Sequence, residues 1–332
     1  MSKAPTVEDV AQRAGVSRQT VSNVLNSPEI VRPATRERVQ AAIDALGYRR
    51  HAAARHLRTR RSSTIGIHLD PYAGGVSGVV LDRFVHALTE RASARGMRIL
   101  VYAARTPDEE ILRLAELSES GEIDATVITG TFHGDPRTQW LTDHGLPFVS
   151  FGRPWGEDDV SDPAHLWVDV DGAAGTRQAT EHARTHAGAR VAFLGWPAGS
   201  GTGDDRERGW REGSTADRGP RLTAEEDVQQ ARRAAADAID GVDAIVCASD
   251  LLAIGAQLAA SEAGRAGLPV YGFDNTPAAE ALGLSSVEQL PEQVAAGALE
   301  LLMGPTGSVV APRPADAGLA HVLVEPRLVV RG

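Results

Sequence analysis

Apolar positions in the first fifty residues fall at helical spacing. Val7, Val10, Ala11 and Ala14 share one face, and Val21, Val24 and Leu25 share a second. Val39, Ala42, Ile43 and Leu46 repeat at the i, i+3, i+4, i+7 spacing of an amphipathic helix. Thr6-Val7-Glu8-Asp9 has the form of a capping box, with Asp9 where Glu or Gln is usual. Gly15 and Gly47 supply the left-handed turn that ends a helix. Ser17 can cap a helix over 18–25, and Pro33 suits a first helical position. Three short helices with a tight turn between the first two predict a helix-turn-helix unit.

After residue 62 the rhythm changes. Strand-like apolar runs at 64–69, 98–102, 125–129 and 147–151 alternate with helical stretches at 78–95, 107–120 and 136–144. A second series places strands near 166–170, 190–194, 243–247 and 268–273. Its helices fall near 172–187, 205–213, 224–239, 249–264 and 276–282. Residues 291–303 read as a helix, and 321–330 as two short strands broken by Pro326. The alternation predicts parallel sheets covered by helices, and two series predict two lobes. The fold class is therefore α/β: an all-α helix-turn-helix head before a two-lobed body with parallel sheets.

Charge sharpens this division. The net charge of −10 is wrong for a nucleic-acid binder until it is split. Residues 1–61 carry 12 Lys and Arg against 5 Asp and Glu, a net of +7, which leaves −17 on the rest. A basic head meets phosphates and an acidic body does not. A hydrophobic content of 42% marks a globular chain. No apolar run approaches the roughly 18 residues of a membrane span. No signal-peptide pattern opens the sequence. The one cysteine, Cys247, excludes an internal disulfide framework, so a cytoplasmic protein is expected.

With Val21, Val24 and Leu25 inward, the second helix turns Arg18, Gln19, Ser22 and Asn23 outward. Arg pairs with guanine bidentately, and Gln or Asn with adenine. Ser17, Thr20 and Ser22 offer short donors to phosphate oxygens. Any three-helix bundle also carries polar residues outside, so the pattern alone leaves DNA contact open. The runs Thr6-Val7-Glu8-Asp9-Val10-Ala11, Ala14-Gly15-Val16-Ser17 and Thr20-Val21-Ser22-Asn23-Val24-Leu25-Asn26 closely resemble the head of the lactose-repressor (LacI/GalR) family. Thr35-Arg36-Glu37-Arg38-Val39 and Leu46-Gly47-Tyr48 continue the match. The resemblance implies that Arg18, Gln19 and Asn23 read the major groove, with Thr6, Asn26 and Tyr48 in the same DNA-contacting set. It further implies that 51–61 is a hinge that folds on the operator, with Leu57 wedged into the minor groove and Ala54 on the same face. Arg50-His51 stands where the family usually has Pro-Asn, so the start of that hinge is less fixed.

For the body, the resemblance implies a periplasmic-binding-protein-like fold with a ligand in the cleft. The expected units are 1–50, 51–61 and 62–332. Lobe 1 is expected over about 62–160 and 291–318, lobe 2 over about 161–290 and 319–332, with crossings near 158–164, 287–291 and 317–321. Arg206 in Arg206-Glu207-Arg208-Gly209-Trp210 matches the family's ligand-binding Arg-x-x-Gly-aromatic motif, and Asp274 in Gly272-Phe273-Asp274 its Gly-aromatic-Asp motif. Ser249 falls where the family commonly binds ligand through Asn. Trp167 falls where an aromatic often lies under the ligand, and Tyr72, Trp155 and Trp196 fall near strand ends. Each is equally a core aromatic by pattern alone.

Enzyme readings find little support. His182 and His186 have metal-compatible i, i+4 spacing without a third ligand. Gly199-Ser200-Gly201-Thr202-Gly203 lacks the Gly-Lys-Ser/Thr ending of a phosphate loop and reads as a flexible turn near the cleft. Cys247 reads as a buried, inert thiol. No catalytic set, metal site or cofactor site is expected. The expectation is a homodimeric repressor on a palindromic operator, released by a sugar-like effector. A regulator sensing a purine or sugar phosphate, and a cytoplasmic solute-binding or sugar-processing protein, remain the alternatives.

Overall fold

The computed structural model describes residues 5–48, 61–69, 78–156, 160–303, 309 and 320–331. Contacts divide the chain into two units, Met1–Arg61 and Ser62–Gly332. The expected hinge residues Ala54 and Leu57, and Tyr72 in the body, lie outside the described residues.

In the first unit, Thr6 closes a capping box with Asp9 and opens α1 (Val7–Ala14), which Gly15 ends with φ of 64°. Ser17 caps α2 (Arg18–Asn26) by accepting the Thr20 N–H, and Pro33 begins α3 (Pro33–Leu46). Val10, Val21 and Val39 are fully buried, one from each helix, and Tyr48 packs with them. Fully burying such side chains contributes about 1.5–3 kcal/mol each, enough to hold helices individually too short to persist in water.

The second unit contains two six-stranded sheets. The strands of the first are β1 (Thr64–Leu69), β2 (Arg98–Ala103), β3 (Ala125–Thr129), β4 (Phe148–Phe151), β5 (Trp167–Val170) and β11 (His321–Val324), in the order β11-β5-β4-β3-β1-β2. Helices α4 (Gly78–Ala94), α5 (Pro107–Glu119), α6 (Pro136–Asp143) and α12 (Pro291–Leu302) belong to this lobe. All its pairings are parallel. Apolar clusters lie on both faces, one with α4 and α12 and one with α5 and α6. This double burial leaves β3 buried at every position and β1 at all but its last, with no alternation between buried and exposed positions.

The second sheet has the order β12-β10-β9-β8-β6-β7. Its strands are β6 (Val191–Gly195), β7 (Arg221–Thr223), β8 (Ala244–Cys247), β9 (Val270–Phe273), β10 (Ser285–Glu288) and β12 (Arg327–Val329). Only β12 runs antiparallel to its neighbour. Its helices are α7 (Gly172–His186), α8 (Gly201–Gly213), α9 (Val228–Ala236), α10 (Asp250–Glu262) and α11 (Pro277–Ala281). Among the described residues no helix is long and apolar enough to cross a membrane.

Two expectations need correction. β5 and β11 belong to the first sheet, so the chain passes between lobes at Asp171, at 289–290 and at 325–326. The expected crossings near 158–164 and 317–321 are displaced, and with them the lobe boundaries at 160–161 and 318–319. Trp167 and Val168 align with Ser150 and Phe151, so the polar loop before β5 joins neighbours within one sheet. The Gly199–Gly203 run is also not a flexible turn: Ser200 caps α8 by accepting the Gly203 N–H at 3.2 Å, and Gly201 is its first residue. The glycines are there because rings lie on them. A Cβ on Gly201 would sit 2.3 Å from the Trp155 ring, and one on Gly203 would sit 3.0 Å from the Trp196 ring.

Candidate functional site

The first candidate face is on α2. Arg18, Gln19 and Ser17 are exposed, while Thr20, Ser22 and Asn23 are half-buried. Arg18 pairs with Glu8 at 2.9 Å, both largely exposed. Gln19 Nε2 donates to Asn23 Oδ1 at 2.9 Å, and the Ser17 and Thr20 hydroxyls are 2.9 Å apart. Water-exposed pairs such as these are worth ~0–1 kcal/mol, so a base edge or phosphate displaces them at little cost. Thr6 is committed to its cap: its hydroxyl and N–H both donate to Asp9. Tyr48, expected to contact DNA, is 9% exposed and sits in the core of the head. The Asn26 side chain lies outside the described residues.

The second site forms where strands end in the body. Open α/β sheets place ligands beyond the carboxyl ends of their strands. Trp196 follows β6, Glu226 follows β7, Ala248 and Ser249 follow β8, Asp274 follows β9 and Gln289 follows β10. From the first lobe, Arg153 and Trp155 follow β4, and Asp169 is the penultimate residue of β5.

The Arg-x-x-Gly-aromatic motif separates its tasks along α8. Arg206 enters this cluster. Gly209 faces α7, where a Cβ would sit 2.0 Å from the Ala173 carbonyl oxygen, so the helices cross only with glycine there. Trp210 is buried and donates its indole N–H to the Val191 carbonyl at 2.9 Å, locking the helix to β6. The second motif works alike. Gly272 leaves room for the Asp250 carboxylate, Phe273 lies under Arg206 with its ring 3.7 Å from the guanidinium carbon, and Asp274 turns away at φ of 112°.

Arg206 is 6% exposed. Its Nη1 donates to the Ala248 carbonyl and lies 3.8 Å from Asp274 Oδ1, an ion pair too long for a hydrogen bond. Its Nε is buried without a hydrogen-bond partner. Unsatisfied buried donors cost about 1–3 kcal/mol and call for an explanation, such as a ligand. Burial depresses the Arg206 pKa, opposed by Asp274, Glu226, Asp169 and Asp205. Burial raises the Asp274 carboxyl to about 7, against the pull of Arg206. Gln289 Nε2 donates to Asp274 Oδ1.

Trp196 is half-buried, 5.4 Å from the Arg206 guanidinium carbon, and its indole N–H donates to Glu226 at 2.5 Å. Ser249 is 1% exposed; it donates to Glu226 at 2.9 Å and caps α10, so its hydroxyl is already spent. Trp167 does not join the cluster: it opens β5, at the end of the strand away from the carboxyl ends that form the site, donates to the Val160 carbonyl at 3.0 Å and stacks on His321. Its ring belongs to the wall of the first lobe. Trp155 takes the place at the cluster, half-buried with φ of 59° and its ring 4.6 Å from the Arg153 guanidinium carbon. Arg153, Asp169, Asp205, Glu226 and Gln289 were not anticipated. Their shared signal is position, since most are polar residues at or just past a strand end. Among the described residues no group of three or more His, Cys, Asp or Glu could hold a metal ion. His182 bonds the Tyr271 hydroxyl and stacks on His186.

A helix-turn-helix unit followed by two parallel-sheet lobes with a polar cluster at their strand ends defines a DNA-binding transcriptional regulator and not an enzyme. Residues 6–51 match the bacterial regulatory proteins of the lacI family, and residues 180–332 match the periplasmic binding protein-like domain. The HTH-type transcriptional regulator CelR of Thermobifida fusca is 32% identical, covering 99% of this chain and 98% of that one. The chain belongs to the lacI family. A transcriptional regulator CelR–cellobiose complex superposes with a TM-score of 0.67 at 28% identity, covering 98% of this chain and 99% of that one. The lac repressor dimer bound to operator and the anti-inducer ONPF shares the fold, with a TM-score of 0.79 at 22% identity over 99% and 98% of the two chains.

Proposed function

We propose that this regulator is a cytoplasmic homodimeric repressor of carbohydrate-utilisation genes, released from a palindromic operator when a neutral disaccharide of the cellobiose type enters the cleft. The observation that carries the reading is the unpartnered, buried Nε of Arg206, whose Nη1 lies 3.8 Å from Asp274. A sugar hydroxyl accepts from one and donates to the other. Trp155 and Trp196 cover the first turn of the same helix, and aromatic faces suit the apolar faces of sugar rings. The names of the CelR relatives support this choice of sugar. On α2, the bases are read by Arg18, Gln19 and Asn23, and the hinge at 51–61, with Ala54 and Leu57, completes the DNA contact.

Charge favours this reading over a sugar-phosphate corepressor. Asp274, Glu226, Asp169 and Asp205 all act on buried Arg206, and Arg153 is already paired with the last two. Such a site has no spare positive charge for a phosphate. Thermal-shift measurement on the full chain with cellobiose, glucose 6-phosphate and hypoxanthine tests it. A ligand at 100 times its Kd stabilises by about 2.7 kcal/mol. Cellobiose should raise the melting temperature and release a palindrome enriched from genomic fragments. A shift with either of the other two and none with cellobiose overturns the assignment.

Asp274 gives this binding a pH signature. Its carboxyl titrates near pH 7 before ligand arrives, and a sugar hydroxyl donating to it requires the ionised form. Affinity is therefore full above about pH 8 and falls below about pH 7, toward tenfold per pH unit, because protons compete with sugar. The sign follows from the raised value: the unliganded protein holds the proton, and binding must expel it. Calorimetry across this range should show the slope in the wild type and a flat profile in Asp274→Asn. Equal slopes in the two proteins would exclude Asp274 as the acceptor.

A further inference from the structure

We propose that Arg153 is the positioning residue of the cleft: it holds the first lobe against Asp205 on the helix that carries Arg206, so that one turn of α8 registers both lobe contact and ligand. This goes beyond the sugar assignment and concerns how the binding-competent arrangement is held. Arg153 stands on the first lobe, just after β4. Its Nε donates to Asp169 Oδ2 at 2.7 Å within that lobe, and its Nη2 donates to Asp205 Oδ2 at 2.7 Å in the other. The three side chains are 14%, 13% and 6% exposed. Trp155 follows the same path, lying on Arg153 from its own lobe and on Gly201 of α8.

What makes this a movable contact is that both sides keep a partner when it breaks. Stranding a buried charge is severely unfavourable, and a pair that strands one does not open readily. Arg153 would keep Asp169. Asp205 would keep Arg208, 2.6 Å from Oδ1, and the Ala173 N–H, 3.1 Å from Oδ2. The contact lies beside the chain crossing at Asp171, so a small rotation of one lobe on the other changes it. Asp205 and Arg206 are adjacent on one helix, so the lobe contact and the ligand contact move together. If Arg153 keeps the closed arrangement populated, its loss reduces apparent affinity by the fraction of closed molecules that remains.

Amide hydrogen exchange on the full chain, with and without cellobiose, tests this with Arg153→Met. Without sugar, exchange should rise about tenfold in 152–156 and 200–206, and the apparent Kd for cellobiose should rise about tenfold; saturating cellobiose should restore protection. Arg153→Lys keeps the charge but not the fork that spans both carboxylates, so it should recover part of both effects, and it carries the measurement if the Met variant does not fold. Unchanged exchange overturns the proposal. Weaker sugar binding with unchanged exchange also overturns it, by making Arg153 a ligand contact. Faster exchange with unchanged affinity overturns it too, since the lobe contact would not serve binding. If wild-type protein does not bind cellobiose, the sugar assignment fails alone, and the sugar-free exchange comparison still decides whether Arg153 holds the lobes.

Discussion

Arg206→Ala is expected to abolish the cellobiose-dependent rise in melting temperature and the release of operator, while operator binding without sugar persists. The guanidinium is the one buried cation beside Asp274, and its Nε is the donor left without a protein partner. Hydrogen bonds to charged groups contribute about 1.5–3 kcal/mol each, so loss of the Nε contact alone weakens binding by roughly 10- to 150-fold. Removing one partner of a buried ion pair normally threatens the fold. Here Asp274 already titrates near pH 7, and it escapes by taking up a proton. The variant therefore should fold, melt cooperatively and fail to respond. Its head, held by Val10, Val21 and Val39, is untouched. Calorimetry and a thermal scan on the same preparation decide the matter; a full shift in the variant would move the site elsewhere.

Both motifs behind this prediction were legible because several residues serve different neighbours at fixed spacing. Gly209 and Trp210 pin α8 so firmly that Arg206 has only one place to go. The head was legible for a similar reason: Thr6, Asp9, Gly15 and Ser17 are local capping signals that need no tertiary partner. β10 was not legible. Its four residues include one apolar side chain, and its burial is met by polar partners: Ser286 with Asp250, Ser285 with Arg331, and Glu288 with Arg83 and Asn275. Hydrophobic periodicity has nothing to find there. β7, Arg221–Thr223, is shorter still and is held by an arginine that reaches Glu207. Overlooking β10 also hid Gln289, which follows it directly. Trp167 and Trp155 show the remaining limit. Both stand near strand ends in sequence, yet one begins a strand and the other follows one, and only strand direction in the sheet separates wall from cleft.

Arg18→Ala is expected to remove sequence preference while leaving most of the nonspecific affinity. Arg18 is tethered to exposed Glu8, so it is released to a guanine edge at little cost. A bidentate base contact supplies about 1–3 kcal/mol of discrimination, and a dimer on a palindrome loses it twice, so specific affinity should fall by roughly 10²- to 10⁴-fold. Nonspecific binding rests on counterion release from phosphates, and one of the head's 12 basic residues carries little of it. Gln19→Ala should act more narrowly. Gln19 is held by Asn23, and its removal both deletes a reader and frees the Asn23 amide, so preference should relax at one position per half-site. Selection from random duplexes at two salt concentrations, on wild type and both variants, separates these effects. If both variants lose affinity for every sequence alike, α2 holds the backbone and the bases are read elsewhere. A change confined to one base pair per half-site places that reading on the exposed edge of α2.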